Sequence, residues 1–171
     1  MEEFNDLVDQ YHKALYRFGL TLTKNSCRAA DLVQQTFVIL VQKGHQLKNR
    51  SKAKTWLFTT LYHEHLGNVG YSQRHLGTEI TKAEDKLRYE EQDYGRKLDA
   101  RQTVGFLSEL DETFCAPLTL FYLQQHSYQE IAEVLDVPIG TVMSRISRGK
   151  EQLHKKMISE AAKAPTRLVD F

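Results

Sequence analysis

A proline break inside residues 127–153 constrains the fold of this chain more than any other feature of its sequence. Before the break, apolar residues at helical spacing mark a short amphipathic helix. Ser127 is a suitable N-cap for that helix, and Glu130 three residues later completes a capping box. Pro138 ends the helix, because proline disfavours helical geometry in the preceding residue and is accepted in the first turn of a new helix. Asp136 falls in the turn, where many chains place glycine for a positive φ and where Asp is tolerated better than most residues.

The helix predicted after the break, from Ile139 onward, has a polar outer face. Its apolar period buries Val142 and Ile146. The remaining surface carries thioether, hydroxyl and guanidinium groups, which belong to Met143, Ser144, Ser147 and Arg148. Two helices joined by a tight turn, the second with such a face, predict a helix-turn-helix with a DNA recognition helix. The alternative is an ordinary helical hairpin with a solvated basic face.

The charge balance limits how the chain could hold nucleic acid. Its 171 residues carry a formal net charge of +1, which excludes a polycationic coat, so DNA binding has to come from local clusters. One basic cluster occupies residues 48–54 and a second occupies residues 145–156.

The sequence argues against a membrane span, a disulfide, a zinc site and a catalytic dyad. No apolar run approaches the roughly 20 residues of a membrane span, and the N-terminus is acidic rather than a basic signal. Cys27 and Cys115 lack a CxxC or paired-histidine pattern, which favours reduced thiols over a disulfide or a zinc site. His63 and His65 leave a helix in different directions, and neither cysteine has a partner for a nucleophilic dyad. We therefore expect a cytoplasmic protein without membrane insertion, metal, cofactor or catalytic activity.

A change in composition divides the chain into two helical domains. Amphipathic helices fill residues 1–76, charged residues dominate 77–101, and apolar helical spacing returns in 102–160 before a tail at 161–171. No stretch alternates as a strand would, so the predicted fold class is all-α, with two small helical domains joined by a charged linker.

Glycine, proline and polar turn residues predict where individual helices begin and end. A first helix is expected to stop at Lys24, and a second to end at Gly44. The third is expected to end near Gly67 or Gly70, and Pro117 is expected in the first turn of a later helix.

Five stretches, in this order and at these separations, resemble the signatures of an extracytoplasmic-function (group IV) sigma factor of RNA polymerase. They are Asp31–Phe37, Lys54–Phe58, Leu107–Leu110, Ser127–Ala132 and Gly140–Arg148. The resemblance covers nearly the whole chain and implies a helical region 2 and a helix-turn-helix region 4. It also implies a transcription initiation factor that binds RNA polymerase core subunits and directs promoter recognition and melting.

The resemblance implies specific DNA contacts in region 4. The positions that enter the major groove of the minus-thirty-five element correspond to Met143, Ser144, Ser147 and Arg148. Thr141 and Arg145 correspond to positions where phosphate contact or intramolecular pairing is expected.

In region 2, the resemblance implies a loop and a helix that contact the minus-ten element. The matching residues are Lys48, Asn49, Arg50, Ser51, Lys52, Trp56 and His63. A core tryptophan is the alternative interpretation of Trp56. The helix that follows also departs from the family, because many members carry an asparagine, an aspartate and a run of arginines where this chain has His63 and glycines.

The resemblance further implies protein partners. Asp31, Gln34 and Gln35 correspond to a stripe that docks on the clamp of the largest polymerase subunits, and Leu118 and Phe121 to part of a groove for the flap tip. An anti-sigma factor is an expected partner. The departures after Trp56 leave open an alternative function, a sigma-like decoy that binds an anti-sigma factor without competent promoter opening.

Overall fold

All regular structure in the described residues is helical, as the sequence predicts. The computed structural model describes residues 2–47, 49–75 and 97–163. Within these ranges the α-helices are α1 (Glu2–Thr23), α2 (Ser26–Lys43), α3 (Ala53–His75), α4 (Lys97–Ser108), α5 (Glu112–Leu118), α6 (Tyr128–Leu135) and α7 (Ile139–Lys163). Short 3-10 turns cover Gly44–Gln46 and Arg50–Lys52. We call residues 2–75 the N-terminal region and residues 97–163 the C-terminal region.

The turn between α1 and α2 lies where the sequence predicts it. Lys24 adopts a left-handed conformation with φ of 56°, and the side chain of Asn25 caps α2 by accepting a hydrogen bond from the Arg28 backbone N–H at 2.9 Å. The two helices pack closely at Gly19, where an added Cβ would lie at an ordinary contact distance of 3.5 Å from the Ala29 backbone. The chain thus reverses direction within a few residues.

The predicted end of the third helix is wrong. Helix α3 passes through both Gly67 and Gly70 and ends at His75. A glycine inside a helix costs about 1 kcal/mol relative to alanine, which lowers helix stability without forbidding the helix.

The expectation for Pro117 is also wrong, because it is the sixth residue of α5 rather than a first-turn residue. A proline at this position lacks an N–H to donate and crowds the carbonyl of Thr113. The helix widens immediately afterwards into a π turn at Thr119–Leu123. The Gln124 N–H closes that turn by donating to the Thr119 carbonyl at 3.2 Å.

The main apolar core contains buried side chains from both regions. Helix α3 packs against α6, and α1 packs against α4 and α5. The largest fully buried side chains come from both regions and include Phe18, Phe58, Leu61, Leu107, Leu118 and Ile131. Most of the predicted linker at 77–101 lies outside the described residues, and α4 already begins at Lys97. The proposed boundaries at 76 and 102 therefore stay predictions.

In the described ranges, no helix has both the length and the apolar character needed to cross a bilayer.

Candidate nucleic-acid interface

The helix-turn-helix of the C-terminal region forms by the local interactions that its sequence predicts. The Glu130 N–H donates to Ser127 Oγ at 3.2 Å, and the Ser127 N–H donates to Glu130 Oε2 at 2.7 Å, which completes the capping box. The hydrogen bond from the Ser127 backbone lowers the pKa of Glu130, because it stabilises the carboxylate. Asp136 ends α6 in the left-handed region, with φ of 52°. The sharp turn before α7 is therefore confirmed.

The outer face of α7 is exposed, as predicted. Val142 and Ile146 are buried beneath it, whereas Met143 is 52% exposed. Ser144, Ser147 and Arg148 are exposed, and Thr141 and Arg145 are half-buried. The described surface therefore offers a contiguous set of a thioether, hydroxyls and a guanidinium for contact with a partner.

Two members of this face have interactions within the chain. Ser144 Oγ donates to the Thr141 carbonyl at 3.0 Å. Arg145 lies close enough to Tyr62 of α3 for its charge to favour the phenolate, although burial and the nearby Glu112 carboxylate dominate and raise the pKa of Tyr62.

Gly149 lets α7 pack directly on α5, a role that sequence reasoning missed. A Cβ at this position would lie 2.7 Å from Leu118 Cδ1 and 3.2 Å from Phe114 Cβ. The signal was an isolated glycine in an otherwise strongly helical segment. This close packing fixes the orientation of the exposed face of α7 (Met143, Ser144, Ser147 and Arg148), which we call the recognition face, relative to the rest of the C-terminal region.

The basic clusters are smaller than the sequence suggests, because several cations are engaged within the chain. Lys155 pairs with Glu151 at 2.8 Å, and Lys156 pairs with Glu109 at 3.0 Å. Lys54 donates to the Gln124 carbonyl of the other region. The exposed cations beside the recognition face are Arg148 and Lys150.

The candidate minus-ten loop is stabilised by hydrogen bonds between its own residues. Asn49 Oδ1 accepts hydrogen bonds from the Ser51 N–H at 3.0 Å and from Ser51 Oγ at 2.8 Å. Arg50 and Lys52 are exposed, and Lys48 lies outside the described residues. The two residues predicted to read base edges therefore bind each other here.

Trp56 lies partly in the core and partly at the surface, so its position is compatible with a packing role and with a surface contact. Its half-buried ring packs on the core. The same side chain lines a surface groove whose other members are Leu47, Asn49, Lys52, Thr55, Thr59 and Glu133. Glu133 belongs to α6 of the other region and was not anticipated. His63 is exposed further along α3.

The candidate polymerase contacts differ in accessibility. Asp31, Gln34 and Gln35 are all exposed on α2, whose opposite side is buried. Leu118 is fully buried and Phe121 is half-buried. In this arrangement Leu118 supports the core, and its assignment to a partner groove stays a prediction.

Family models and curated relatives that are similar to this chain all belong to the sigma factors of RNA polymerase. A family model described as Sigma-70 region 2 matches residues 7–66, and one described as Sigma-70, region 4 matches residues 106–153. The ECF RNA polymerase sigma factor SigM of Bacillus subtilis is 26% identical over 154 residues, which cover 87% of this chain and 91% of that protein. SigE of Mycolicibacterium smegmatis, also an ECF RNA polymerase sigma factor, is 31% identical over 157 residues, which cover 90% of this chain and 61% of that protein.

The fold agrees with a solved sigma factor. The sigma factor RpoE of Bartonella quintana, in complex with the anti-sigma factor NepR, superposes with a TM-score of 0.74 at 26% identity. The superposition covers 91% of this chain and 96% of that one. The two family models together match more than half of the chain, in the order of its two helical regions, and the chain belongs to the extracytoplasmic-function (ECF) sigma factors.

Proposed function

We propose that this protein is a transcription initiation factor that binds core RNA polymerase and directs it to promoters through two DNA-reading surfaces. The observation that carries the proposal is the exposed polar face of α7, held by a capped helix-turn-helix in a chain with both sigma regions. We further propose that residues 1–76 act as region 2 and residues 102–160 as region 4, and that the protein works in the cytoplasm without catalysis of its own.

The proposed minus-thirty-five contacts lie on α7. Arg148 is exposed and can donate two hydrogen bonds to a guanine, an interaction worth about 1–3 kcal/mol of discrimination. Met143 can contact a thymine methyl group, and Ser144 and Ser147 can bind base edges. Thr141 and Arg145 are proposed to bind phosphate.

The proposed minus-ten contacts surround Trp56. Lys48, Arg50 and Lys52 would neutralise phosphates of an unpaired strand. Asn49 and Ser51 would exchange their mutual hydrogen bonds for bonds to an unstacked base. Further contacts are proposed for Trp56 and for His63, which is exposed on the same helix.

The proposed polymerase contacts use both regions. The exposed stripe of Asp31, Gln34 and Gln35 would dock on the clamp of the largest subunits, and Phe121 with Leu118 would contribute to a flap-tip groove. Because the RpoE relative was solved with its anti-sigma factor, we propose that an anti-sigma factor also regulates this chain.

Run-off transcription tests the proposal directly. The purified chain is combined with core RNA polymerase on the promoter of its own operon, and a specific transcript is expected. Absence of a transcript, together with tight binding to an anti-sigma factor from the neighbouring genes, would favour the decoy function instead.

A further inference from the structure

The groove beside Trp56 is large enough for a small aromatic ligand. Its volume is about 440 Å³, within the range of about 300–1,000 Å³ that is usual for ligand pockets. Its lining comes from the segment 47–59 of the N-terminal region and from Glu133 of α6. A ligand in this groove would therefore contact both regions of the chain.

The apolar part of the groove offers a surface on which a flat ring can stack. Trp56 packs against the apolar core and also lines the groove, so its indole is held in place before a ligand arrives. Leu47, Thr55 and Thr59 lie around it. The Thr59 hydroxyl is already used within α3, where it donates to the Thr55 carbonyl at 2.8 Å. Because indole rings stack favourably on nucleobases, this part of the groove suits a planar heteroaromatic base.

Two opposite charges border the groove without pairing. Lys52 and Glu133 both line it, and both side chains are exposed. Neither side chain forms an ion pair or a hydrogen bond with another residue in the described ranges. A ligand with hydrogen-bond donors at one end and an anionic group at the other would satisfy both charges.

Asn49 adds a hydrogen-bond donor to the same groove. Its Oδ1 already accepts two hydrogen bonds from Ser51, whereas its Nδ2 donates to no other described residue. An amide donor and a carboxylate acceptor in one groove match the Watson–Crick edge of guanine. That edge presents the O6 acceptor next to two donors, N1–H and the 2-amino group.

Guanine suits these groups better than the other bases do. Its two adjacent N–H donors can both bond to one carboxylate. Adenine and cytosine each place a ring-nitrogen acceptor beside a single amino donor, so a lone pair would face the Glu133 carboxylate and repel it. Thymine and uracil have one N–H donor between two carbonyl acceptors. The carboxylate therefore selects for guanine.

We propose that this groove binds a free guanine nucleotide. Its base stacks on Trp56 and donates to the Glu133 carboxylate, and its O6 accepts a hydrogen bond from Asn49 Nδ2. Its phosphate binds the Lys52 ammonium. The inference goes beyond the proposed function, in which the residues of segment 48–56 contact promoter DNA and α6 has no part.

The test uses the fluorescence of Trp56, the one tryptophan in the sequence, in the purified full-length chain. Guanosine monophosphate should quench this fluorescence and saturate, because its base stacks on the indole. Inosine monophosphate lacks the 2-amino group and should bind about tenfold more weakly, since one hydrogen bond to a carboxylate is lost. Adenosine monophosphate should bind more weakly still. Equilibrium dialysis checks each affinity without interference from light absorption by the nucleotide.

Two variants separate base recognition from phosphate recognition. Glu133→Gln should weaken binding of guanosine monophosphate about tenfold and reduce the preference over adenosine monophosphate, because the charged acceptor is lost. Lys52→Met should weaken binding of guanosine monophosphate but leave binding of guanosine, which has no phosphate, unchanged. The matched controls Asp9→Asn and Lys13→Met, at exposed positions of α1 outside the groove, should change neither affinity. Circular dichroism of all four variants should match that of the wild type.

The proposal is overturned if guanosine monophosphate does not bind saturably at millimolar concentration, or if adenosine monophosphate binds equally well. It is also overturned if Glu133→Gln keeps full affinity. A guanine-containing single-stranded oligonucleotide provides the last comparison, and binding of this strand without binding of the mononucleotide would assign the groove to DNA alone. These outcomes are independent of run-off transcription, because the titrations contain neither polymerase nor promoter.

Discussion

The two proposed DNA-reading surfaces differ in how much of the molecule is needed to build them. The recognition face of α7 depends on a capping box and a turn within a stretch of 27 residues, 127–153, and on one close contact at Gly149. The proposed minus-ten surface combines the Asn49 loop with α3, and Glu133 of the other region borders it. A locally specified surface is available in the free chain, whereas one assembled from distant segments can be controlled by how those segments are arranged.

The largest expected effect concerns the shared core. Phe58 is fully buried between Phe18, at a centroid distance of 5.5 Å, and His126. Phe58→Ala should lower the free energy of unfolding by about 3–5 kcal/mol, because it removes a large buried ring and leaves a cavity. Urea unfolding followed by circular dichroism measures the loss, with exposed Tyr122→Ala as the control.

Whether the two regions unfold in one step or separately tests whether they share a core. If they share one core, both should unfold in a single step in the wild type. If amide exchange shows α3 opening while α6 and α7 stay protected, the regions are independent and the shared-core interpretation fails.

The next effect is a pH dependence of the interface. Because burial and the Lys54 charge lower the pKa of His126 from 6.5 to about 4, the unfolded chain takes up a proton at a higher pH than the folded chain does. His126 therefore does not lower the free energy of unfolding above pH 6.5. As the pH falls from 6.5 toward 4, the free energy of unfolding decreases, by about 1–2 kcal/mol at pH 5. Unfolding free energies at pH 7 and pH 5 measure the loss.

His126→Phe provides the matched control for this titration, since its ring cannot be protonated. Glu130 and Asp111 also have lowered pKa values through hydrogen bonds from backbone N–H groups, so their caps weaken in acid too. That contribution is common to both proteins. An identical loss in wild type and variant would mean that His126 is not responsible.

A comparable effect is expected on the recognition face. Arg148→Ala should weaken promoter binding by the holoenzyme by about 1–3 kcal/mol on the preferred sequence and by less when the contacted base pair is changed. Lys150→Ala, two residues further along α7 and exposed, should weaken binding to all sequences similarly. Equal losses on every sequence for Arg148→Ala would restrict that residue to phosphate contact.

The smallest effect tests how locally the helix-turn-helix is specified. Ser127→Ala removes one half of the capping box and should cost about 1 kcal/mol of stability. Ser159→Ala, near the exposed end of α7, should change stability by less than about 0.5 kcal/mol. Thermal unfolding of both variants checks this, and equal effects would show that the cap does not matter.

The features predicted correctly from sequence are those that depend on near neighbours. The all-α class, the break at Pro138, the positive φ at Asp136 and the exposed face of α7 follow from periodicity, proline geometry and capping. The failures arose where local preference does not decide the structure. Helix α3 continues through Gly67 and Gly70, because a glycine lowers helix stability without forbidding the helix, whereas Pro117 is buried inside α5.

The candidate site was predicted unevenly for the same reason. Charge counting placed Lys54 in a DNA-binding cluster, but a partner 70 positions away in sequence accepts its hydrogen bond. Nothing near Glu133 or His126 in the sequence indicates that they lie against α3. The partner-binding roles of Asp31, Gln34, Gln35 and Phe121 stay predictions until an assembled complex is measured.

The exposed side chains Met143 and Arg148 take no part in the contacts that fasten the two regions together. After gene duplication, these positions are free to diverge toward a new promoter while the descendant keeps the same contacts between its two regions. Engineers who build orthogonal transcription circuits gain the same freedom: residues on this face can be exchanged in a library without redesigning the contacts around Gln124.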